Sequence, residues 1–352
     1  MEKTVASAPS TSGGSSKHAL VIPTMAEIHS VPRNGYNVVS TFSGCGGSCL
    51  GFEMDGYRTL WANEFSTQAA RTYQVNHRGV PLDRRDIRLV CASEIQAARR
   101  PGEIDVLEGS PPCASFSEAG HKKEGWGKVK RYNAEMRQRT DDLFFHFARI
   151  VHDLQPKVFV AENTLGLVRG YAKGHFKIFL SHLREQGYRV EAKLLDAMWL
   201  GVPQRRQRLF FIGVRKDLGL PPVFPQPYPW RYVMADVLPH VAYFHRPGLT
   251  SRKVPRPWYN AKREVVNAIT THAIRASKKA WFSSSGMVEL VDGTRRRLTV
   301  DEIKVLHTYP EDFELTGNVY DAWERVGRSV PPRMMYEVAK TIRTGILERC
   351  IS

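Results

Sequence analysis

Short apolar runs alternate with amphipathic stretches along the chain from residue 37 onward. The runs are rich in β-branched residues, which is typical of buried strands, and the stretches between them repeat their apolar positions with helical spacing. The predicted strands are Asn37–Phe42, Thr59–Ala62, Ile104–Leu107, Lys157–Ala161, Arg189–Leu195 and Leu209–Val214. The predicted helices include a stretch ending at Met54, Thr67–Asn76, Asp142–Asp153 and Phe176–Gln186. This alternation predicts an α/β domain over residues 36–215, with a doubly wound, mostly parallel sheet.

The two ends of the chain have different patterns. Residues 1–35 are rich in Ser, Gly and Thr and have little apolar periodicity, which predicts a flexible leader outside the fold. Near the other end, Thr299 and Glu302 have the spacing of a capping box at a helix start. The stretch from Pro331 to Glu348 is amphipathic and is expected to pack on the α/β domain. Residues 297–352 are therefore assigned to a return to that domain.

Residues 216–296 interrupt the alternation. This segment contains nine prolines, ten aromatic residues and 13 Lys or Arg against five Asp or Glu, a net charge of +8. Interleaved arginines and aromatic rings suit a small irregular domain that grips a nucleic acid backbone and stacks on bases. The plainer alternative is a basic insertion whose charges are only solvated.

Composition narrows the class of protein. The chain has 352 residues and a formal net charge of +16 at pH 7, which favours a polyanionic partner, and nucleic acid over a membrane surface. No apolar run is long enough to cross a bilayer, and the start lacks a signal-peptide pattern, so a cytoplasmic protein is expected. The five cysteines have neither a disulfide-framework spacing nor the partners of a zinc site, so no metal is expected.

Glycines follow the first predicted strand, and a carboxylate follows the second. Residues 43–47 read Ser-Gly-Cys-Gly-Gly, and Glu64 comes 17 to 20 residues after the glycines. Glycines let a ligand approach backbone N–H groups, while a carboxylate at the next strand end can accept hydrogen bonds from a ribose diol. A nucleoside-containing cofactor is one interpretation, and a tight turn followed by a surface Glu64 is the other.

Cys113 follows another predicted strand, behind Pro111 and Pro112. A thiolate at such a strand end can be a nucleophile when its environment lowers its pKa. The alternative is a small buried apolar residue with no chemical role. The carboxyl ends of parallel strands share one edge of a sheet, where ligands bind, so Cys113 is expected near the glycine loop.

Together the motifs resemble the C5-cytosine methyltransferase family, of bacterial or phage type. In chain order they are Phe42-Ser43-Gly44-Cys45-Gly46-Gly47, Ala62-Asn63-Glu64, Asp86-Ile87, Ser110-Pro111-Pro112-Cys113 with Phe116-Ser117 and Gly120, Glu162-Asn163, Gln204-Arg205-Arg206-Gln207-Arg208, Arg297-Leu298-Thr299, and Gly327 with Val330-Pro331-Pro332. The resemblance implies a class I methyltransferase fold of Rossmann type, with residues 216–296 as a target-recognition domain. It implies transfer of a methyl group from S-adenosylmethionine to carbon 5 of cytosine in DNA.

The resemblance also implies roles for four catalytic residues. Cys113 would add to C6 of the cytosine, which makes C5 nucleophilic. Glu162 would supply a proton or hydrogen bond at N3, and its pKa would have to be raised for that purpose. Arg206 and Arg208 would hold the O2 region of the cytosine and the nearby backbone, although solvated arginines at a strand end are the alternative.

For the cofactor, the family implies a site that includes both the glycine loop and the later motifs. The residues assigned to S-adenosylmethionine are Phe42, Ser43, Gly44, Cys45, Gly46, Gly47, Glu64, Asp86, Ile87, Ser110, Pro111, Ser329 and Val330. Glu64 would bind the ribose hydroxyls and Asp86 the adenine amino group. Asp86 could equally be a helix cap.

The expected partner is double-stranded DNA, from which the target base would be flipped into the pocket. The basic segment would contact the DNA, and residues 121–139 would form a mobile loop that closes over the base, unless they are an ordinary exposed loop. A monomer is expected, with a restriction endonuclease as a genetic partner only. A tRNA cytosine methyltransferase and a non-catalytic nucleic-acid-binding relative are the alternative functions.

Three positions depart from the family pattern. Ala114 stands where Gln usually follows the cysteine, Thr164 replaces Val after the Glu-Asn pair, and Arg328 replaces Asn before Ser329. The Thr164 change is expected to be mild. Arg328 could reach a phosphate or a cofactor carboxylate in place of the usual Asn contact.

Overall fold

The computed structural model describes residues 18–96, 104–112, 130–131, 137–138, 142–165, 173–245, 258–267 and 286–350. The strands are β1 Asn37–Thr41, β2 Arg58–Asn63, β3 Leu82–Asp83, β4 Val106–Gly109, β5 Lys130–Arg131, β6 Arg137–Gln138, β7 Val158–Thr164, β8 Tyr188–Asp196, β9 Gln204–Arg205, β10 Gln207–Arg215, β11 Val241–His245, β12 Trp258–Asn260, β13 Val266–Asn267, β14 Met287–Leu290 and β15 Arg295–Arg297. The helices are α1 Met25–Ser30, α2 Gly47–Met54, α3 Thr67–Asn76, α4 Ala92–Gln96, α5 Leu143–Leu154, α6 Lys173–Glu185, α7 Met234–Val237, α8 Val300–Leu306, α9 Val319–Arg328 and α10 Pro332–Ile342.

A seven-stranded sheet with the order β3-β2-β1-β4-β7-β10-β8 forms the centre of the molecule. The pairs from β3 through β7 are parallel, and β10 is antiparallel to both of its neighbours. The prediction of an α/β fold with a mostly parallel sheet is therefore confirmed. The strand order reverses between β1 and β4, and the carboxyl ends of strands at such a switch point frame a ligand crevice.

Helices cover both faces of this sheet, which is why its strands read as nearly continuous apolar runs. On one face, Leu107 and Phe159 are buried against Phe147 of α5. On the other, Val106 and Val160 are buried in a cluster with Met335 of α10. Alternate residues of each strand point to opposite faces, so neighbouring positions belong to different core clusters.

A smaller antiparallel sheet has the order β12-β11-β14-β15. Val241 and Val288 of this sheet are buried in one cluster with Leu306 of α8 and Trp323 of α9. The sequence predicts only an irregular segment here, because the strands are short and separated by basic and proline-rich stretches. Regular hydrogen-bonded pairing of short strands gives the segment its order instead.

The Pro-rich beginning of the predicted small domain packs on the large one. Val223 and Phe224 contact the core cluster that contains α10, and the Tyr228 hydroxyl donates to Oε1 of Glu337 at 2.7 Å. Because these residues pack on the large domain, we propose that the small domain begins near residue 233.

The described part of the predicted leader belongs to the fold. Thr24 caps α1 with a capping box, and Met25 and Ile28 are buried in the cluster that contains α8 and α9. The backbone N–H of Met25 donates to the Asp312 carboxylate at 2.9 Å. The prediction of a leader outside the fold is therefore wrong for residues 18–35, because two apolar side chains on one turn of helix suffice to anchor the segment.

Helix boundaries follow local sequence signals in the last part of the chain. Thr299 and Glu302 form the predicted capping box at α8, and the helix predicted from Pro331 is observed as α10. Helix α9 was not predicted, although Asn318 and Asp321 form a capping box at its start. Within the described ranges, no helix combines the length and apolar character needed to cross a membrane.

Candidate active site

A cleft lies at the carboxyl edge of the large sheet, beside the switch point. It brings together eleven of the thirteen residues assigned from sequence to the cofactor: Phe42, Ser43, Gly44, Cys45, Gly47, Glu64, Asp86, Ile87, Ser110, Ser329 and Val330. The other two, Gly46 and Pro111, are neighbours of lining residues. The sequence motifs therefore converge in space on one cavity.

The loop between β1 and α2 has an unusual backbone. Phe42, Gly44 and Gly46 have φ values of 54°, 58° and 94°, in the left-handed region that residues other than glycine rarely adopt. A Cβ atom on Gly46 would lie 2.1 Å from Nε2 of His77. His77 cannot easily move, because it is buried, stacks on Tyr73 and pairs with Glu53 at 3.2 Å.

Gly46→Ala is expected to lower the free energy of unfolding by about 2–4 kcal/mol, because it adds a clash to the strain of a positive φ. Gly79→Ala is the matched control, since Gly79 has a φ of 85° and open space around its Cα. Its loss should be about 1 kcal/mol. Urea denaturation measures both values, and equal losses for the two variants would contradict the proposed contact with His77.

Glu64 holds the glycine loop by its backbone. Its Oε2 accepts a hydrogen bond from the Gly44 N–H at 2.8 Å, and its Oε1 accepts one from the Ser66 N–H at 2.6 Å. Burial raises the pKa of Glu64, and these two hydrogen bonds oppose the shift. A carboxylate has about four lone-pair sites, so Glu64 keeps acceptor capacity for a ligand in the cleft.

Asp86 is a helix cap that also lines the cleft. Its carboxylate caps the short 3₁₀ helix over residues 87–89 by accepting from the Arg88 N–H at 3.0 Å, and it pairs with the Arg88 guanidinium at 2.8 Å. Asp86 also lines the cleft, next to the apolar side chain of Ile87. The cap fixes the carboxylate at the cleft wall.

The turn of residues 110–112, which follows β4, forms another wall of the cleft. Ser110 and Pro112 line the cavity, and Asn163 Nδ2 donates to the carbonyl oxygen of Pro111 at 3.2 Å. This contact links the turn to β7, the strand that carries Glu162. Cys113 is the next residue after Pro112 and lies outside the described residues, as do Ala114 and most of the predicted mobile loop. Of that loop, β5 and β6 form an antiparallel pair.

Glu162 and Arg208 form a buried ion pair between neighbouring strands. Nε of Arg208 lies 2.9 Å from Oε1 of Glu162, and both side chains are at most 15% exposed. Burial raises the pKa of Glu162, whereas Arg208, Arg206 and a hydrogen bond from Ser110 lower it. The net upward direction is what a carboxyl group needs in order to donate a proton near neutral pH.

Arg206 has different contacts from Arg208. It is 1% exposed, and its Nη2 donates to the carbonyl oxygens of Gly327 at 2.9 Å and Ser329 at 2.7 Å. The guanidinium thus holds the segment between α9 and α10, in which Ser329 and Val330 line the cleft. The two arginines that the sequence grouped together therefore contact two different parts of the site.

Helix α9 supplies cleft residues that sequence reasoning missed. Asp321, Glu324 and Arg325 line the cavity together with Arg328, whose Nη2 pairs with Glu324 at 2.6 Å. The capping pattern at Asn318 is the sequence signal that could have located this helix. The departure at Arg328 therefore places a second cation at the cleft, partly balanced by Glu324.

Glu108 was also missed. It lies in β4 and is 1% exposed, two residues before the lining residue Ser110. A charged residue type within an apolar strand was the available signal. In the described part of the chain, no group of three or more His, Cys, Asp or Glu side chains is arranged to hold a metal ion.

Comparisons with known proteins agree with this geometry. The family model for C-5 cytosine-specific DNA methylase matches residues 36–233 and 248–344. The Type II methyltransferase M.NgoPII of Neisseria gonorrhoeae is 28% identical over 344 residues, which cover 88% of this chain and 96% of the relative. M.FnuDI of Fusobacterium nucleatum, also a Type II methyltransferase, is 28% identical over 347 residues, with coverage of 89% and 95%.

Solved structures show the same fold. A crystal structure of the DNMT2 protein of Spodoptera frugiperda superimposes with a TM-score of 0.61 at 16% identity, and covers 90% of this chain and 100% of that one. At this identity the match supports the fold alone. Since the family model spans most of the chain, the protein belongs to the C-5 cytosine-specific DNA methylase family.

Proposed function

We propose that the protein transfers a methyl group from S-adenosylmethionine to carbon 5 of cytosine at a specific site in duplex DNA. One observation carries the proposal beyond family membership. The cleft that gathers the glycine loop, Glu64 and Asp86 also reaches the turn before Cys113. The residues assigned to the cofactor thus share one cavity with the turn that precedes Cys113.

The residues in the cleft fit S-adenosylmethionine. Glu64 and Asp86 are acceptors suited to the ribose hydroxyls and the adenine amino group, and Ile87 offers an apolar surface to a ring. At the α9 side, Arg328 offers a cation to a carboxylate. When bound, the cofactor supplies an electrophilic methyl group on a sulfonium.

The chain's own residues supply the rest of the chemistry. The Cys113 thiolate forms a bond to C6 of cytosine, which makes C5 a carbon nucleophile. Glu162 donates a hydrogen bond or proton at N3, where negative charge develops, and Arg208 fixes the orientation of Glu162. After transfer, loss of the C5 proton and of the thiolate restores the aromatic ring.

DNA binding is proposed for the basic small domain. C6 of cytosine is inaccessible in a stacked duplex, so the base has to leave the stack, at a cost of about a few kcal/mol. Residues 216–296, the segment that contains this domain, have a net charge of +8, which suits contacts with phosphates that would offset that cost. We further propose a monomer that acts in the bacterial cytosol or nucleoid. A restriction endonuclease would be a genetic partner only.

A substrate comparison tests the proposed function. With tritiated S-adenosylmethionine, we expect label in duplex DNA and none above background in tRNA, and bisulfite sequencing of host DNA should show one methylated sequence context. Label in tRNA alone would support the RNA alternative. Failure of the protein to bind S-adenosylhomocysteine in calorimetry would support a non-catalytic relative.

A further inference from the structure

Glu108 is a buried carboxyl group that the proposed chemistry does not use. It lies in β4, and Gly109 alone separates it from the turn of residues 110–112. Its side chain is on the same face of the sheet as Glu162, because Glu108 pairs in register with Val160 of the parallel neighbour β7. The Glu108 carboxyl group thus lies between the glycine loop of residues 43–47 and β7, the strand that carries Glu162.

A chain of hydroxyl groups connects Glu108 to the cleft. The Ser40 hydroxyl donates a hydrogen bond to Oε1 of Glu108, and the Ser40 and Ser43 hydroxyls lie 2.7 Å apart. Ser48, at the start of α2, also hydrogen-bonds to Glu108. Ser43 and Ser48 both line the cleft, so two separate sets of hydrogen bonds link Glu108 to the cleft.

The surroundings of Glu108 favour its protonated form. Glu162 faces it from β7, and Cys49 of α2 and Tyr73 of α3 are close enough to interact with it electrostatically. Burial, followed by the repulsion from Glu162, raises the pKa of Glu108 to about 8, while Ser40 and Ser48 oppose the shift. Both serine hydroxyls donate to Glu108, and a protonated carboxyl group can accept these hydrogen bonds without burying a charge.

We propose that protonated Glu108 is a positioning residue that couples the glycine loop of residues 43–47 to the turn of residues 110–112, which precedes Cys113. It holds Ser40 and Ser48 in the arrangement that shapes the cleft, while its own backbone leads into the turn. Loss of its proton buries a negative charge on the side of Glu162, and the repulsion between the two carboxylates displaces Glu108 from the serine hydroxyls. The glycine loop then loses the conformation that binds S-adenosylmethionine. This inference rests on the proposed binding of S-adenosylmethionine in the cleft.

Binding of S-adenosylhomocysteine, measured by calorimetry between pH 6.5 and 9, tests the proposal. If only the protonated form binds, the dissociation constant of the wild type relative to Glu108→Gln should rise about tenfold by pH 9. The glutamine mimics the neutral carboxyl group and should keep the wild-type affinity at pH 6.5. Titration of the ligand itself cancels in this ratio. Glu185→Gln, an exposed carboxyl change on α6, is the matched control and should follow the wild type.

Ser40→Ala provides a second test that does not depend on replacing Glu108. Removal of the connecting hydroxyl should weaken binding of S-adenosylhomocysteine at pH 7 several-fold. It should also reduce the loss of affinity between pH 7 and pH 9. The same pH dependence in wild type and Glu108→Gln would overturn the positioning role while leaving the proposed function intact. Absence of binding to the wild type at every pH would overturn the proposed function, and this inference with it.

Discussion

Replacing Cys113 with alanine is expected to lower the rate of methyl transfer to duplex DNA by about 10⁴-fold or more. Without the thiolate, C6 gains no substituent and C5 stays a poor nucleophile, so the remaining side chains have no activated carbon to assist. Single-turnover transfer of tritiated methyl groups measures this rate. Affinity for S-adenosylhomocysteine should change less than threefold, since Cys113 acts on the base.

Cys91→Ala is the control for this experiment, because Cys91 is an exposed free cysteine away from the cleft. Its activity should match that of the wild type. A Cys113→Ala protein that retains more than a tenth of wild-type activity would contradict nucleophilic catalysis by this residue.

Glu162→Gln is expected to lower kcat by about 10²–10³-fold, because the amide cannot transfer a proton to N3. Burial holds the pKa of Glu162 above its usual range, and Arg208 and Arg206 limit that rise. Activity of the wild type should therefore fall as pH rises through this elevated pKa, when the proton is lost. The variant should lack that dependence, which a pH profile of kcat would show.

Glu191→Gln is a matched control for Glu162→Gln, since Glu191 is an exposed carboxylate on β8. It should leave both kcat and the pH profile unchanged. If Glu162→Gln reduced only the affinity for DNA and left kcat intact, the carboxyl group would be a binding group and not a proton donor.

The convergence of the motifs was predictable from sequence because parallel strands share the edge where they end. Gly44, Glu64 and Ser110 follow three different strands, and all three line the cleft. Register within the sheet leaves little freedom in where such residues lie. The α/β fold, and the position of most of the assigned residues in one cleft, could therefore be predicted from short local patterns.

Other features depend on contacts between distant parts of the chain. Arg206 and Arg208 are two residues apart in sequence, yet one bonds to carbonyl oxygens near residue 328 and the other to Glu162. Arg206 lies between β9 and β10, which belong to different sheets, so alternation along one strand does not predict the directions of the two arginines. Helix α1 was missed for a similar reason, because its two apolar side chains are buried in a cluster with residues of α2, α8 and α9, and the Met25 N–H donates to Asp312, 287 positions away.

The burial of Glu108 could not be predicted from a local sequence pattern. An acidic residue within an apolar strand marks an unusual position, but it does not show which partners would make its burial possible. Only the structure reveals the hydroxyl groups of Ser40 and Ser48 that make its burial tolerable. Their partnership depends on the register between β1 and β4, which no local sequence pattern specifies.

Covalent trapping tests the central proposal most directly. A duplex in which 5-fluorocytosine replaces cytosine at the methylated position is incubated with the protein and S-adenosylmethionine, and the adduct is digested and mapped by mass spectrometry. Fluorine at C5 prevents the final elimination, so a methylated adduct should accumulate on the peptide that contains Cys113 and require the cofactor. Efficient methylation of ordinary duplex DNA without such an adduct, or with one on another residue, would contradict nucleophilic attack by Cys113.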